Sequence, residues 1–286
     1  MPTFQATDGT RLFYTDTVAG PTVLLVHAWS LAGDMWEYQV SDLVAAGHRC
    51  VAMDRRGHGR SDVPATGYDL DTLAGDLADL IAHLDLSEVT LVAHSMGTCE
   101  ATRYLARLDT GRVARAVFVG SMTPHLAGAV GEEFVEGLVA QLRMDRPKWF
   151  HDGAPGYFAT GGTGSWVSQA LVDDGIRRIL TTPLEVQIAC LRAFATTDLT
   201  TDLQRIDVPT LVVHGDADAS APIDITGSPT AQLLPRARFS LVEGAPHGLY
   251  VTAKDTLHAA ITEHIRSSGD FAAVRVMPVP AAPHTP

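Results

Sequence analysis

Apolar residues fall along this chain in two alternating rhythms. Val23-Leu24-Leu25-Val26, Val89-Thr90-Leu91-Val92 and Pro209-Thr210-Leu211-Val212-Val213 are β-branched and nearly continuous in apolar positions. Such runs predict strands buried on both faces, as in a parallel sheet. Residues 11–14, 48–54, 114–120 and 238–242 also read as strands, the last of them as the final one. Asp8-Gly9 suggests a hairpin opening. Helical periods lie between these runs. Residues 33–46 form one amphipathic segment, ended by Gly47. Another covers 70–84, with Leu73, Leu77, Leu80, Ile81 and Leu84 on one side. Strands alternating with helices predict an α/β fold with a mainly parallel central sheet flanked by helices.

From about residue 122 to 203 that alternation stops. Helical segments near 131–144, 166–180 and 184–195 are separated by Pro147, by residues 152–156 and by the glycine-rich 161–164. This pattern predicts a helical cap, residues 122–203, inserted into a core made of 1–121 and 204–268. A cap of this kind encloses substrate and excludes water. Its Trp149, Phe150, Tyr157, Phe158 and Trp166 are candidates for lining a pocket, with cap-to-core packing as the alternative for each. Residues 269–286 end in a stretch with prolines at 278, 280, 283 and 286. Those prolines forbid a regular helix or central strand and predict a tail or a small packed arm.

The candidate chemistry begins at Ser95. It follows Val89-Thr90-Leu91-Val92 within Ala93-His94-Ser95-Met96-Gly97 and precedes a helix-like stretch. Strand, serine, helix is the arrangement of a nucleophile elbow. The tight turn needs small residues two positions either side of the serine, and Ala93 and Gly97 supply them. A base and an orienting acid are expected further on, in that fold's order of serine, acid, histidine. The strand 209–214 runs into Gly215-Asp216-Ala217-Asp218, and the strand 238–242 into Glu243-Gly244-Ala245-Pro246-His247. Groups just past the carboxyl ends of strands are where an open α/β sheet gathers its chemistry. His247 is suited to take the Ser95 proton and return it to the leaving group. An oxyanion needs preorganised donors. The Met96 N–H, next after the nucleophile, is one candidate. The Trp29 N–H, in the loop after the strand at 23–26, is the other.

The segments LLVHAWS, MWEYQ, AMDRRGHGRSD, GYDLDTLAGDL, LVAHSMG, LVVHGDAD and EGAPHGL together resemble the α/β-hydrolase superfamily. Within it they resemble the cofactor-free haloperoxidase and arylesterase branch, over residues 22–265. The resemblance implies the α/β-hydrolase fold and a Ser95-Asp218-His247 triad. It is the resemblance, and not spacing, that assigns Asp218 over Asp216. It also supports Trp29 and Met96 as the oxyanion-hole donors, and implies no cofactor and no metal. Three departures stand out. Ala28 replaces a usual glycine, Ser30 stands where perhydrolase-like members often carry proline, and Ala219-Ser220-Ala221 is smaller than the usual segment. Relatives that open epoxides or dehalogenate alkanes need aspartate where this chain has Ser95.

Composition narrows the partners. The chain has 286 residues, 46% hydrophobic and 19% charged, enough for one large domain with an insertion. A net charge of −12 argues against nucleic acid and anionic membrane. Cys50, Cys99 and Cys190 show no redox or metal spacing, and the histidines form no H-E-x-x-H motif. A sparse, odd cysteine count and an N-terminus without a signal-like segment lead to a cytoplasmic expectation. His94 is expected to point away from Ser95, and His27 and His58 to support loops. Arg55, Arg56 and Arg60 are expected to pair with Asp54 and Asp62.

The function these readings favour is a serine hydrolase cleaving a small-to-medium carboxylic ester through an acyl-enzyme. A lactonase or a perhydrolase would use the same residues. A ligand-binding protein of this fold without turnover is an alternative of another class, and a thioesterase with a carrier-protein partner is a third possibility. Oligomeric state is left open.

Overall fold

The computed structural model of the protein describes residues 2–160, 167–267 and 275–278. Its strands are β1 (Thr3–Gln5), β2 (Arg11–Asp16), β3 (Thr22–Val26), β4 (Arg49–Met53), β5 (Val89–His94), β6 (Val113–Val119), β7 (Thr210–Gly215), β8 (Ala237–Glu243) and β9 (Arg275–Pro278). They lie side by side in the order β1-β2-β4-β3-β5-β6-β7-β8-β9. β1 and β2 pair antiparallel across the Asp8-Gly9 turn, and β2 pairs antiparallel with β4. From β4 to β9 every pairing is parallel. The chain crosses from β3 to β4 on one side and back past β3 to β5 on the other. The carboxyl ends of β3 and β5 therefore flank the point where the strand order reverses, where such sheets bind ligands.

The nearly continuous apolar runs divide between two cores because successive strand side chains point to opposite faces. Leu24, Val26, Val51, Leu91, Phe118 and Val212 face one way, against α2 (Leu70–His83) through Leu77, Leu80 and Ile81. Val23, Leu25, Cys50, Val92, Val117 and Val213 face the other way. There they meet Leu43 of α1 (Glu37–Ala45) and Leu257 and Ile261 of α11 (Lys254–Arg266). The helix expected over 33–46 opens as a 3-10 turn, Gly33–Trp36, before α1. Asp69 caps α2, its carboxylate accepting from the Thr72 N–H at 2.9 Å. The elbow helix is α3 (Met96–Arg107).

The described elements between β6 and β7 are helices: α4 (Leu126–Val130), α5 (Glu132–Phe158), α6 (Gln169–Thr181), α7 (Leu184–Thr196) and α8 (Thr200–Leu203). Val135, Val139, Leu142, Val186, Leu191 and Phe194 of these helices share a core with Met96 and Cys99 of α3. The separators expected within this segment divide into two cases. At Pro147 the helix does break. Asp145 leaves helical geometry (φ −157°, ψ 83°) and its carboxylate accepts from the Lys148 N–H at 3.0 Å. Asp145 thus caps a new helical stretch, in whose first turn the missing N–H of Pro147 is harmless. The loop expected at residues 152–156 is absent, and these residues are helical. Burial of Ala154 and Phe158 against Val172 of α6 overrides the two glycines and Pro155. The glycines at 161–164 lie outside the described residues.

α9 (Gly227–Leu233) joins β7 to β8, and α10 (Leu249–Thr252) precedes α11. β8 is not the final strand. Residues 275–278, expected within a tail, form β9 beside it. An edge position is where a strand tolerates proline, and β9 at the end of the sheet is no central strand. Among the described residues no helix is long and apolar enough to cross a membrane.

Candidate active site

Ser95 stands between β5 and α3 with φ 56° and ψ −124°, a left-handed backbone that a non-glycine residue adopts only under constraint. The constraint is visible on both sides. The Ser95 N–H donates to the Val119 carbonyl at 2.9 Å, and Thr98 Oγ1 donates to the Ser95 carbonyl at 2.6 Å. At Gly97 a Cβ would come within 2.9 Å of both the Val26 and His27 carbonyl oxygens. Glycine there lets α3 lie directly on the end of β3.

His247 lies in the loop after β8, and its Nε2 is 2.9 Å from Ser95 Oγ. Its Nδ1 is 2.6 Å from Asp218 Oδ2, in the loop after β7. With Nδ1–H donating to the carboxylate, Nε2 is left as an acceptor for the serine hydroxyl. Asp218 Oδ1 accepts from the Ser220 and Ala221 N–H groups at 3.0 and 2.7 Å. Burial works against the charged carboxylate, but the facing His247 and His214 and the hydrogen bonds hold it below the usual range. Asp216, the other acid of this loop, is exposed and accepts from the Gly244 N–H at 2.5 Å. It ties the two loops together and does not meet His247.

Two further histidines frame this group. His94 Nε2 donates to the main-chain oxygen of His247, and burial pushes its pKa down to about 3. His214 Nε2 donates to the Ala221 carbonyl at 2.8 Å and lies 3.5 Å from Asp218 Oδ2. Only the first had been singled out in the sequence, as a structural residue.

The Met96 N–H opens α3, where the first turn has no intrahelical acceptors. The Trp29 N–H follows β3 in the adjoining loop. Among the described residues neither has a protein acceptor. The Trp29 indole donates to the Gln187 carbonyl at 2.9 Å and packs on Trp149, Phe150 and Phe194. Tyr157 sets its ring 5.3 Å from that of His247, and its carbonyl accepts from the Gly248 N–H at 2.8 Å. Phe158 contacts Tyr157 and joins the cluster of Ala154 and Val172. Trp166 lies outside the described residues. Among the described residues no group of three or more His, Cys, Asp and Glu side chains is arranged to hold a metal ion.

The arginines after β4 do not pair as expected. Arg60 does meet Asp54, at 2.8 Å, but Asp62 pairs with Arg11. Arg56 reaches Asp76 and Asp8, and Arg55 pairs with Glu100 of α3. Proximity in sequence misleads for Arg55 and Arg56 because both side chains turn inward, where Glu100 and Asp76, distant in sequence, are buried beside them. Glu100 was missed altogether. Its one signal was an acid four residues after Met96, in a helix start otherwise built of small residues, Gly97, Thr98, Cys99 and Ala101.

Comparison with known proteins agrees with this architecture. Residues 21–254 match the family model described as alpha/beta hydrolase fold. The chain is 40% identical over 261 residues to the non-heme chloroperoxidase CPO-A1 of Kitasatospora aureofaciens, covering 89% of this chain and 95% of that one. It is 31% identical to the bifunctional esterase/perhydrolase DCH of Acinetobacter calcoaceticus, covering 91% and 98% respectively. The crystal structure of a bromoperoxidase from Bacillus anthracis superposes with a TM-score of 0.87 at 33% identity, covering 93% of this chain and 100% of that one.

Proposed function

Given that the chain belongs to the α/β-hydrolase fold family, in its non-heme haloperoxidase branch, we propose that it is a serine hydrolase of small-to-medium carboxylic esters. The observation that carries the reading is the chain of contacts from Ser95 Oγ through His247 to Asp218, at 2.9 and 2.6 Å, on a strained elbow. In this reading His247 Nε2 takes the Ser95 proton as Oγ attacks the ester carbonyl. Asp218 stabilises the imidazolium and holds its tautomer. The oxyanion is received by the N–H groups of Met96 and Trp29. His247 then protonates the departing alkoxide, leaving an acyl-enzyme. Water, activated by the same histidine, attacks the acyl carbon, releases the acid and restores the Ser95 hydroxyl. The helices of residues 122–203 act as the cap, with Trp149, Phe150 and Tyr157 bordering the acyl group.

The esterase/perhydrolase relative favours a second use of the same intermediate. Hydrogen peroxide replacing water as the nucleophile would carry the acyl group away as a peracid.

The test is hydrolysis of p-nitrophenyl acetate, butyrate and octanoate at pH 7 to 8 by the wild type and by Ser95→Ala, with and without hydrogen peroxide. Turnover that vanishes in the variant supports the hydrolase. Peracid formed only with Ser95 present supports the second use. A folded wild type no faster than Ser95→Ala on every ester would overturn the reading.

A further inference from the structure

The two main-chain donors assigned to the oxyanion belong to segments far apart in sequence, and one buried ion pair joins them. Arg55 and Glu100 are each 1% exposed, and Arg55 Nε donates to Glu100 Oε1. Glu100 stands one helical turn beyond Met96 on α3. The remaining arms of the guanidinium turn to the loop after β3. Nη2 donates to the His27 carbonyl at 2.7 Å and Nη1 to the Ala28 carbonyl at 3.3 Å. The main-chain N–H of Arg55 donates to His27 Nε2 at 2.9 Å, which leaves His27 Nδ1–H to donate to the Ala28 carbonyl at 2.7 Å.

The Ala28 carbonyl and the Trp29 N–H belong to one planar peptide and point in opposite directions. Fixing that oxygen with two donors fixes the line along which the Trp29 N–H points. A cationic donor on the carbonyl also polarises the peptide and strengthens its N–H as a donor. The planar, five-donor fork of arginine allows one side chain to hold a carboxylate and two carbonyls together.

We propose that the Arg55–Glu100 pair is a positioning element for the oxyanion hole, setting the Trp29 N–H relative to the Met96 N–H. The inference rests on the hydrolase reading above. Neither residue touches the substrate, and their effect is on the transition state and not on binding of the planar ester.

The test uses Arg55→Met, Arg55→Lys and Glu100→Gln in the full chain. Three readouts are taken: kcat and KM for p-nitrophenyl butyrate per titrated active site, inhibition by butylboronic acid, and amide hydrogen exchange at Trp29. Arg55→Met is expected to lower kcat by about 100-fold, the effect of losing one oxyanion donor, with KM within about twofold. Its boronate Ki should rise in proportion to the fall in kcat/KM, because boron becomes tetrahedral on Ser95. Arg55→Lys should recover part of kcat, since one ammonium reaches one carbonyl. An Arg55→Met enzyme with kcat within threefold of wild type, or with unchanged boronate affinity, would overturn the proposal. Should Arg55→Met fail to fold, Glu100→Gln decides. A loss of roughly tenfold tracked by the boronate is expected, and wild-type values overturn. If the wild type hydrolyses no ester, the hydrolase reading itself has failed, and exchange at Trp29 remains. Faster exchange in Glu100→Gln supports the positioning role, and unchanged exchange refutes it.

Discussion

His94 Nε2 lies 2.9 Å from the main-chain oxygen of His247, so the residue before the elbow serine holds the backbone of the histidine facing that serine. The two rings sit 4.8 Å apart. His94→Leu leaves a buried carbonyl without its donor, a cost of about 1–3 kcal/mol. It should lower the melting temperature and reduce kcat by roughly tenfold through a displaced His247. His94→Gln, whose amide can replace Nε2–H, should retain most of both. Thermal melts and p-nitrophenyl butyrate kinetics on the pair provide the check, and equal behaviour of the two variants would count against the hydrogen bond.

Asp218 and Asp216 stand two positions apart but do different work. Asp218→Asn should reduce kcat by about 10³–10⁴, because the amide favours the wrong tautomer of His247. Asp216→Asn removes the charge but keeps an oxygen that can accept from the Gly244 N–H, and should remain within about threefold of wild type. A side-by-side rate comparison separates them, and a larger loss at Asp216 would reverse the assignment.

Stability should fall on mild acidification. Burial pushes His58 and His94 down to about 3 and holds His27 well below its ordinary value. The unfolded chain therefore binds protons below pH ~6.5 that the folded chain refuses, and stability is lost as pH falls through that window. Glu100 acts oppositely. Burial raises its pKa to about 7, so its contribution is present at low pH and is lost as pH rises through 7. His214 and His264 are held down by burial as well, so the lowered histidines outweigh Glu100 and the net change is a loss of stability as pH falls below ~6.5. Melting temperatures measured from pH 7.5 to 5 should drop by several degrees. A flat profile would show that these rings take up protons in the fold.

Phe150 packs on Trp29 at 5.7 Å and on Trp149 at 4.9 Å, next to the loop that carries the proposed oxyanion donor. Phe150→Leu should open acyl space and shift preference from butyrate toward octanoate. A methylene in an apolar pocket is worth about 1–3 kcal/mol, or roughly tenfold and upward in kcat/KM. An unaltered chain-length profile with a lowered melting temperature would leave Phe150 as packing alone.

The core of this fold was legible because its strands are written as β-branched runs and its loops as glycine-rich turns. Ser95, Asp218 and His247 could be proposed from the sequence because each follows such a run, and the resemblance chose between the two acids. What periodicity could not supply was side-chain direction out of a turn. Arg55 and Glu100 lie 45 positions apart, and only the folded chain brings Arg55 Nε onto Glu100 Oε1. The helix through residues 152–156 was hidden for a related reason. Gly153, Pro155 and Gly156 predict a break locally, and apolar contacts from another helix, Val172, Leu171 and Ile176 of α6, prevent it.

Ser95 and His247 touch across 152 positions of chain, from strands that are not neighbours, with β6 and β7 between. Closing so long a loop costs entropy that is recovered only once the intervening strands have paired. Hydrolytic activity regained after dilution from denaturant should therefore lag helix formation and report the late zipping of the sheet. The same site would then serve as a clock for the folding of the chain that carries it.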